Sequence, residues 1–530
     1  MNEAPDTVAD GQPQPQPRHW HLFIAAHTNV GKTALLRTLL GQDVGEVHDA
    51  PDVTQGVTAH ELARDAQGQA LSLWDTPGFG DSFRLAQRLR RRSAWLRWLL
   101  RECWDRWRTP ALWRAQRLAQ TLRTQADVVL YPVSLLETPS DAIYVAPEME
   151  VLALVGKPVL VILNQGGALS DEAQRDTRVQ QWRATLAAHA VVRSVIDLDA
   201  FSRCWLQELT LFEEIGRVLP EADQPRYQSL ARQLQQAHVA RFEASVAALT
   251  HCLIETARDR CELAPAQASS SGLTGTLERL RQHLPWHKEG PHGPAEQARA
   301  DLAQRHAQRT QDLATRLIAL HRLDGVGAAE VWALTAEAWK ESAPLDPSSS
   351  SLVGGVITGV LTGLGADLMT GGLSLGAGAL VGGVAGALGG AAIAGGYNVV
   401  THQDKKLIRW SPQALEEGVA KAALLYLSVA HFGRGQGPWQ QQAATGRWLA
   451  ALEHTLKPQL SALQALWAEP DAVLATPQAE ACLHAVLDSV LRGALLQLYP
   501  DRHAVLAQRL PLGAAPAAGT MLGDAHLRPD

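Results

Sequence analysis

The sequence predicts an α/β domain with a mostly parallel sheet and flanking helices, followed by an all-α C-terminal half. Three observations predict it. The apolar run Trp20 to Ala25 leads straight into Ala26-His27-Thr28-Asn29-Val30-Gly31-Lys32-Thr33, a strand that turns into a helix through small residues. The alternating stretch Ala70-Leu71-Ser72-Leu73-Trp74-Asp75 runs into a second turn, Asp75-Thr76-Pro77-Gly78. Beyond Pro220 the strand signals stop and apolar residues recur at helical spacing.

Taken in order, residues 1–17 are acidic, rich in Pro and Gln and poor in apolar side chains, so a disordered tail is expected and not a signal peptide. The α/β domain is expected over 18–220, with strands near 20–26, 57–64, 70–75, 128–133, 158–163 and 191–197 and a helical insertion at about 84–125. A helical region should fill 221–345, with apolar helical spacing over 225–263 and 296–343 and looser stretches at 264–276 and 285–294. The run Pro344 to Ser351 marks entry to a glycine-rich segment, 350–398. Amphipathic helices such as 414–427 and 446–467 should return over 399–510, and 511–530 reads as a loose tail. His283, His287 and His292 fit a polar linker better than a metal site.

The chemistry lies in the two turns. A strand-to-helix turn of small residues aims several backbone N–H groups and a helix N-terminus at one anion. Ala26, Asn29, Val30, Gly31, Lys32, Thr33 and Ala34 would form that cradle, with Lys32 reaching the β- and γ-phosphates of a nucleotide and the Thr33 hydroxyl on Mg²⁺. Asp75 would hold Mg²⁺ through water, and the Gly78 N–H would sense the γ-phosphate. Thr54, in Asp52-Val53-Thr54-Gln55-Gly56, suits a threonine that caps Mg²⁺ only when triphosphate is bound.

On residues 26–33, Thr54, residues 75–78 and the strand order around them, the chain resembles the translation-factor class of P-loop small GTPases. The resemblance implies GTP and GDP as ligands, with Mg²⁺. Several positions depart from the pattern. Ala26 stands where the first loop glycine is usual. After the strand at 158–163 the family places Asn-Lys-x-Asp, whose aspartate selects guanine, whereas this chain reads Asn164-Gln165-Gly166-Gly167. Asn164 retains two roles, touching the base or bracing the loop. Ser194, in the sixth strand, is a weak match to the base-closing element. Phe79 stands where many relatives carry a water-orienting glutamine, which implies slow hydrolysis. In relatives with an asparagine at the position of Asn29, K⁺ assists, often with homodimerisation; the alternative is an asparagine that braces the loop.

The glycine-rich segment is the second informative feature. Residues 352–397 hold 16 of the chain's 43 glycines and one ionisable side chain, Asp367. Gly355, Gly359 and Gly363, then Gly378, Gly382, Gly386 and Gly390, recur every four residues, which lines one helix face with glycine and permits close helix packing. As helix these 46 residues would span roughly 70 Å, about twice the ~30 Å hydrocarbon thickness plus a turn. A membrane hairpin with cytosolic ends fits, with Lys405, Lys406 and Arg409 following it. The alternative is a buried, water-soluble glycine-rich helical pair or a flexible loop.

From Arg84 to Arg123 there are twelve arginines against Glu102 and Asp105, interleaved with Trp95, Trp98, Trp104, Trp107 and Trp113. This composition suits an anionic membrane interface, RNA, or a helical hairpin packed on the protein itself. The net charge of -6 argues against general nucleic-acid affinity. Five cysteines with no CxxC pair fit a reducing compartment. The whole arrangement is similar to a group of bacterial GTPase-like proteins with a long helical C-terminal domain containing a glycine-rich stretch. The leading expectation is a slow, membrane-associated GTP switch on the cytoplasmic side of the inner membrane, with lipid, an unidentified protein and a second copy as partners. A soluble, cytoplasmic or RNA-linked GTPase and a degenerate nucleotide-binding scaffold are the alternatives.

Overall fold

The computed structural model describes residues 17–27, 30–41, 58–79, 82–89, 110–166, 169, 172–200, 204–262, 294–323, 397–402, 405–432 and 442–507. The expectations for Asn29, Thr54, the arginine- and tryptophan-rich stretch 90–109, His283, His287, His292 and the glycine segment 352–396 lie outside these residues.

Six strands form the N-terminal sheet: β1 His19–Ile24, β2 Thr58–Arg64, β3 Ala70–Asp75, β4 Val128–Ser134, β5 Val159–Asn164 and β6 Val192–Asp197. Their order is β2-β3-β1-β4-β5-β6, with β2 antiparallel to β3 and every other pair parallel. The β2–β3 hairpin closes because Asp65 Oδ1 accepts hydrogen bonds from the N–H groups of Gln67 (3.0 Å) and Gln69 (2.8 Å), while Gly68 supplies φ 79°. The parallel pairs need crossovers, and helices supply them. These are α1 Lys32–Leu40, α2 Ser82–Leu89, α3 Pro110–Gln125, α4 Val145–Val155 and α5 Glu172–Leu186, and α6 Trp205–Val218 follows the last strand.

Side chains alternate across β1, so Trp20, Leu22 and Ile24 enter one core and Phe23 and Ala25 another. The Phe23 face is covered by α2, α3, α4 and α5, through residues such as Leu85, Leu118, Met149 and Trp182. The Trp20 face is covered by α1 and α6 and continues without a break into the C-terminal helices.

Those helices are α7 Gln224–Arg258, α8 Pro294–Leu320, α9 Pro412–Ala430, α10 Gln442–Leu456, α11 Leu460–Ala468 and α12 Pro477–Leu498. Pro458 falls in the short 3-10 turn Lys457–Gln459, which breaks the span 446–467 into α10 and α11. Ser411 caps α9 by accepting from Ala414 N at 3.2 Å, with Pro412 in the first turn. Among the described residues α12 is long and apolar enough to cross a membrane, yet half of that stretch is buried and Leu483, Leu487, Val490 and Leu491 belong to the core.

Strand structure does not end at Pro220. β7 Arg260–Glu262, β8 Tyr397–His402 and β9 Lys405–Trp410 form an antiparallel sheet of order β7-β9-β8, which corrects the all-helical expectation for the C-terminal half. β8 and β9 lie two residues apart in sequence and pair antiparallel, and β7 joins them from beyond the end of α7, a pairing across more than a hundred residues that local spacing does not reveal. Ile408 is buried there against Ala298 and Leu302 of α8. The described parts of the expected insertion, α2 and α3, pack as ordinary flanking helices: Leu112, Ala115, Leu118 and Leu122 are core residues, and Trp113 lies beneath the Arg117 guanidinium at 5.5 Å.

Candidate functional site

The C-terminal ends of the parallel strands β1, β3, β4 and β5 meet at one edge, where an open α/β sheet binds its ligand. At the end of β1 the chain makes the 26–31 turn and enters α1. Gly31 caps this helix in the left-handed region, φ 81°. A Cβ there would lie 2.6 Å from Asn164 Nδ2, so both conformation and space demand glycine. Ala26 and Val30 are buried, as is Ala34; Lys32 and Thr33 lie partly exposed at the helix start.

Asn164, at the end of β5, is fully buried and ties two loops together. Its Nδ2 donates to Val30 O at 2.9 Å, and its Oδ1 accepts from Ala200 N at 2.8 Å. The Ala200 carbonyl in turn accepts from Thr38 Oγ1 on α1 at 2.8 Å. Asn164 therefore braces the phosphate turn. Ser194 sits inside β6, paired with Leu160, and Ala200 in the segment after that strand carries the contact to Asn164. Sequence reading did not single out Ala200, because its part is played by a backbone N–H and carbonyl that any residue has.

Gln165 is in the left-handed region at φ 62°, where side-chain-bearing residues are uncommon. Gly166 is wedged in, since a Cβ on it would approach Leu135 Cδ1 to 2.7 Å and Arg175 Nε to 3.1 Å. Arg175 makes an ion pair with Asp197 at the end of β6.

Asp75 ends β3 at 4% exposure, and its Oδ1 has no hydrogen-bond partner among the described residues. Burial raises its pKa; the nearby Lys32 ammonium and the Thr76 N–H oppose that rise. A buried carboxylate oxygen without a partner, beside a lysine and the Thr33 turn, is a donor set that fits a hard divalent cation such as Mg²⁺. Thr76 Oγ1 donates to Ile24 O at 2.7 Å and fixes the following turn under β1. Gly78 is partly exposed, and Phe79 is fully buried with its N–H on Ala26 O at 3.3 Å. Lys32 Nζ donates to His27 O at 2.9 Å. Of the residues picked from sequence, the structure thus gathers Ala26, Val30, Gly31, Lys32, Thr33, Ala34, Asp75, Gly78, Asn164 and Gln165 at one strand edge.

Residues 21–165 match the profile described as 50S ribosome-binding GTPase, and residues 183–480 match a domain of unknown function, DUF3482. No curated protein matches the chain. Among solved structures, Aquifex aeolicus Era Y63A bound to GDP and AlF4- is similar at 19% identity and TM-score 0.28, covering 43% of this chain and 68% of that one. Era in complex with MgGDPNP and nucleotides 1506–1542 of 16S ribosomal RNA gives 19% and 0.27 over the same shares. The elongation factor SelB from Methanococcus maripaludis with a GTP analogue gives 14% and 0.22, over 35% of this chain and 31% of that one.

Proposed function

Because the chain belongs to the DUF3482 family and carries a GTP-binding GTPase domain ahead of that region, we propose that it is a slow, membrane-associated nucleotide switch. The observation that carries the nucleotide part is the buried Asp75 carboxylate facing Lys32 beneath a glycine-capped phosphate turn. Lys32 leaves the His27 carbonyl for the β- and γ-phosphate oxygens, and the first N–H groups of α1 bind the same anion. Thr33, Thr54 and Asp75 would hold Mg²⁺, which when bound neutralises charge on the phosphates. The γ-phosphate draws Thr54 and the Gly78 N–H inward, and the segment after Phe79 follows. Slow turnover is supported by the Phe79 side chain, which is buried and offers no polar group to a water molecule.

Guanine selection rests on the family, since Gln165-Gly166 carries no carboxylate. Residues 352–397, with one ionisable side chain, and the arginine–tryptophan stretch support membrane lipid as partner and the cytoplasmic face of the inner membrane as location. Asn29 supports K⁺ as an accessory ion and a second copy as partner. Two experiments test the reading. Lys32→Ala should abolish GTP binding, and unchanged affinity would remove it. Full-length protein should float with anionic liposomes more with a GTP analogue than with GDP; absence from the floated fraction in every state would leave a soluble GTPase. Single-turnover hydrolysis at equal rates in KCl and NaCl would dismiss K⁺.

A further inference from the structure

Under the phosphate turn lies a polar cluster that nucleotide binding as described does not use. The ring of His27, the second residue of this segment, reaches α4, where Nδ1 lies 3.0 Å from Glu148 Oε1. Glu148 is fully buried, and its other oxygen accepts from Tyr131 OH on β4 at 2.6 Å. It stands in the first turn of α4, where the free N–H groups favour a negative charge. Tyr144, the residue before that helix, stacks on the His27 ring with centroids 4.0 Å apart and planes 13° apart. The Tyr144 hydroxyl donates to Glu137 Oε2 at 2.8 Å, so the stacking ring is itself held.

A buried carboxylate is costly to keep unless its partners are fixed, and here both partners are aromatic side chains of defined orientation. We infer that Glu148 and Tyr144 are positioning residues for nucleotide binding: they clamp the His27 ring from below and thereby set the backbone of the phosphate turn. Glu148 touches no phosphate and acts through His27. His27 also stands at the start of the cradle, and its carbonyl is the group on which Lys32 Nζ rests before it turns to the phosphates. The segment is then held at two described points, His27 by Glu148 and Val30 by Asn164, and holding both ends lowers the ordering cost of binding. The inference rests on residues 26–34 being the nucleotide cradle.

The test measures the affinity of full-length protein for GDP and for a non-hydrolysable GTP analogue by calorimetry, with urea midpoints alongside. His27→Ala and Glu148→Gln should each weaken both nucleotides about fivefold or more, and the double variant should be no worse than the weaker single by more than about twofold, because one linkage is broken in all three. Tyr144→Phe keeps the stack and should bind within about twofold of the native chain, whereas Tyr144→Ala should follow His27→Ala. A merely structural contact behaves differently. His27→Ala leaves a buried carboxylate short of a partner and lowers the urea midpoint; adding Glu148→Gln neutralises that carboxylate and should recover the midpoint while affinity stays low. Affinity that returns with the midpoint, or singles that bind like the native chain, would overturn the clamp. Lys32→Ala separates the two readings: normal binding there removes the cradle itself, whereas lost binding there beside normal Glu148→Gln removes only the clamp.

Discussion

Asn164 shows how one buried side chain can tie two distant loops together. It donates to the phosphate turn and accepts from the loop after β6, and both contacts are buried. Asn164→Ala strands the Ala200 N–H and the Val30 carbonyl, which should cost about 2 to 4 kcal/mol at roughly 1 to 3 for each buried group, moderated by relaxation; urea denaturation measures it, and GDP affinity should fall in parallel. His431 is a second residue whose environment makes a prediction. It is 1% exposed, its Nδ1 lies 2.8 Å from Leu427 O, and it stacks on Tyr499 with Trp448 tilted against it. Burial lowers its pKa from 6.5 to about 4, helped by Arg447 and opposed by the Leu427 carbonyl. The folded protein therefore keeps it neutral while the unfolded chain takes up a proton first as pH falls through 6.5. Stability from this group is complete above pH 6.5 and is lost progressively down to pH 4, by on the order of 3 kcal/mol. Urea midpoints across that window should decline less steeply in His431→Phe.

Among the elements, helices α10 and α12 cross where Gly493 meets Thr455. A Cβ on Gly493 would stand 2.8 Å from Thr455 Cγ2, whereas one on Gly446 of α10 meets nothing within 4 Å. Gly493→Ala should destabilise by about 1 to 3 kcal/mol through overpacking. Gly446→Ala, relieved of glycine's backbone entropy, should stabilise by about 0.5 to 1 kcal/mol. Thermal melts of the two variants, moving in opposite directions, check the crossing. The strands were legible for a related reason: in β1 and β3 an apolar run or alternation meets a turn whose residues have a chemical task, so pattern and punctuation agree. β7 was not legible, because three residues at the end of a long helix become a strand only when β9 arrives beside them.

The whole molecule is organised by a core that ignores the expected boundary at residue 220. Trp20 of β1 meets Tyr227 of α7 edge to face at 5.3 Å, and the same cluster runs on through Phe242, Tyr426 and Leu491. Charges cross the junction as well: Arg18 binds Asp127 and Asp223, and Arg502 binds Glu213. Deeper in the helical half, Arg492 joins Glu243 of α7 to Asp488 of α12. A fragment ending at residue 220 would uncover the apolar face that α7 covers, so it should be aggregation-prone and unfold at lower urea than the full chain. Sedimentation and a urea titration of the fragment decide this; a monomeric fragment as stable as the intact protein would show that the junction contributes nothing to stability.

Sequence alone determined the phosphate turn, the Asp75 turn, the six-stranded domain that carries them and the largely helical remainder, because each depends on neighbours a few residues apart: spacing, small residues and helix starts. Tertiary structure alone decided that Asn164 braces the turn through Ala200, that His27 rests on Glu148, that β7 joins β9, and that one core runs from Trp20 to the C-terminal helices. These are contacts between distant residues, and their free energy exists only once the chain has closed the loops that bring the partners together.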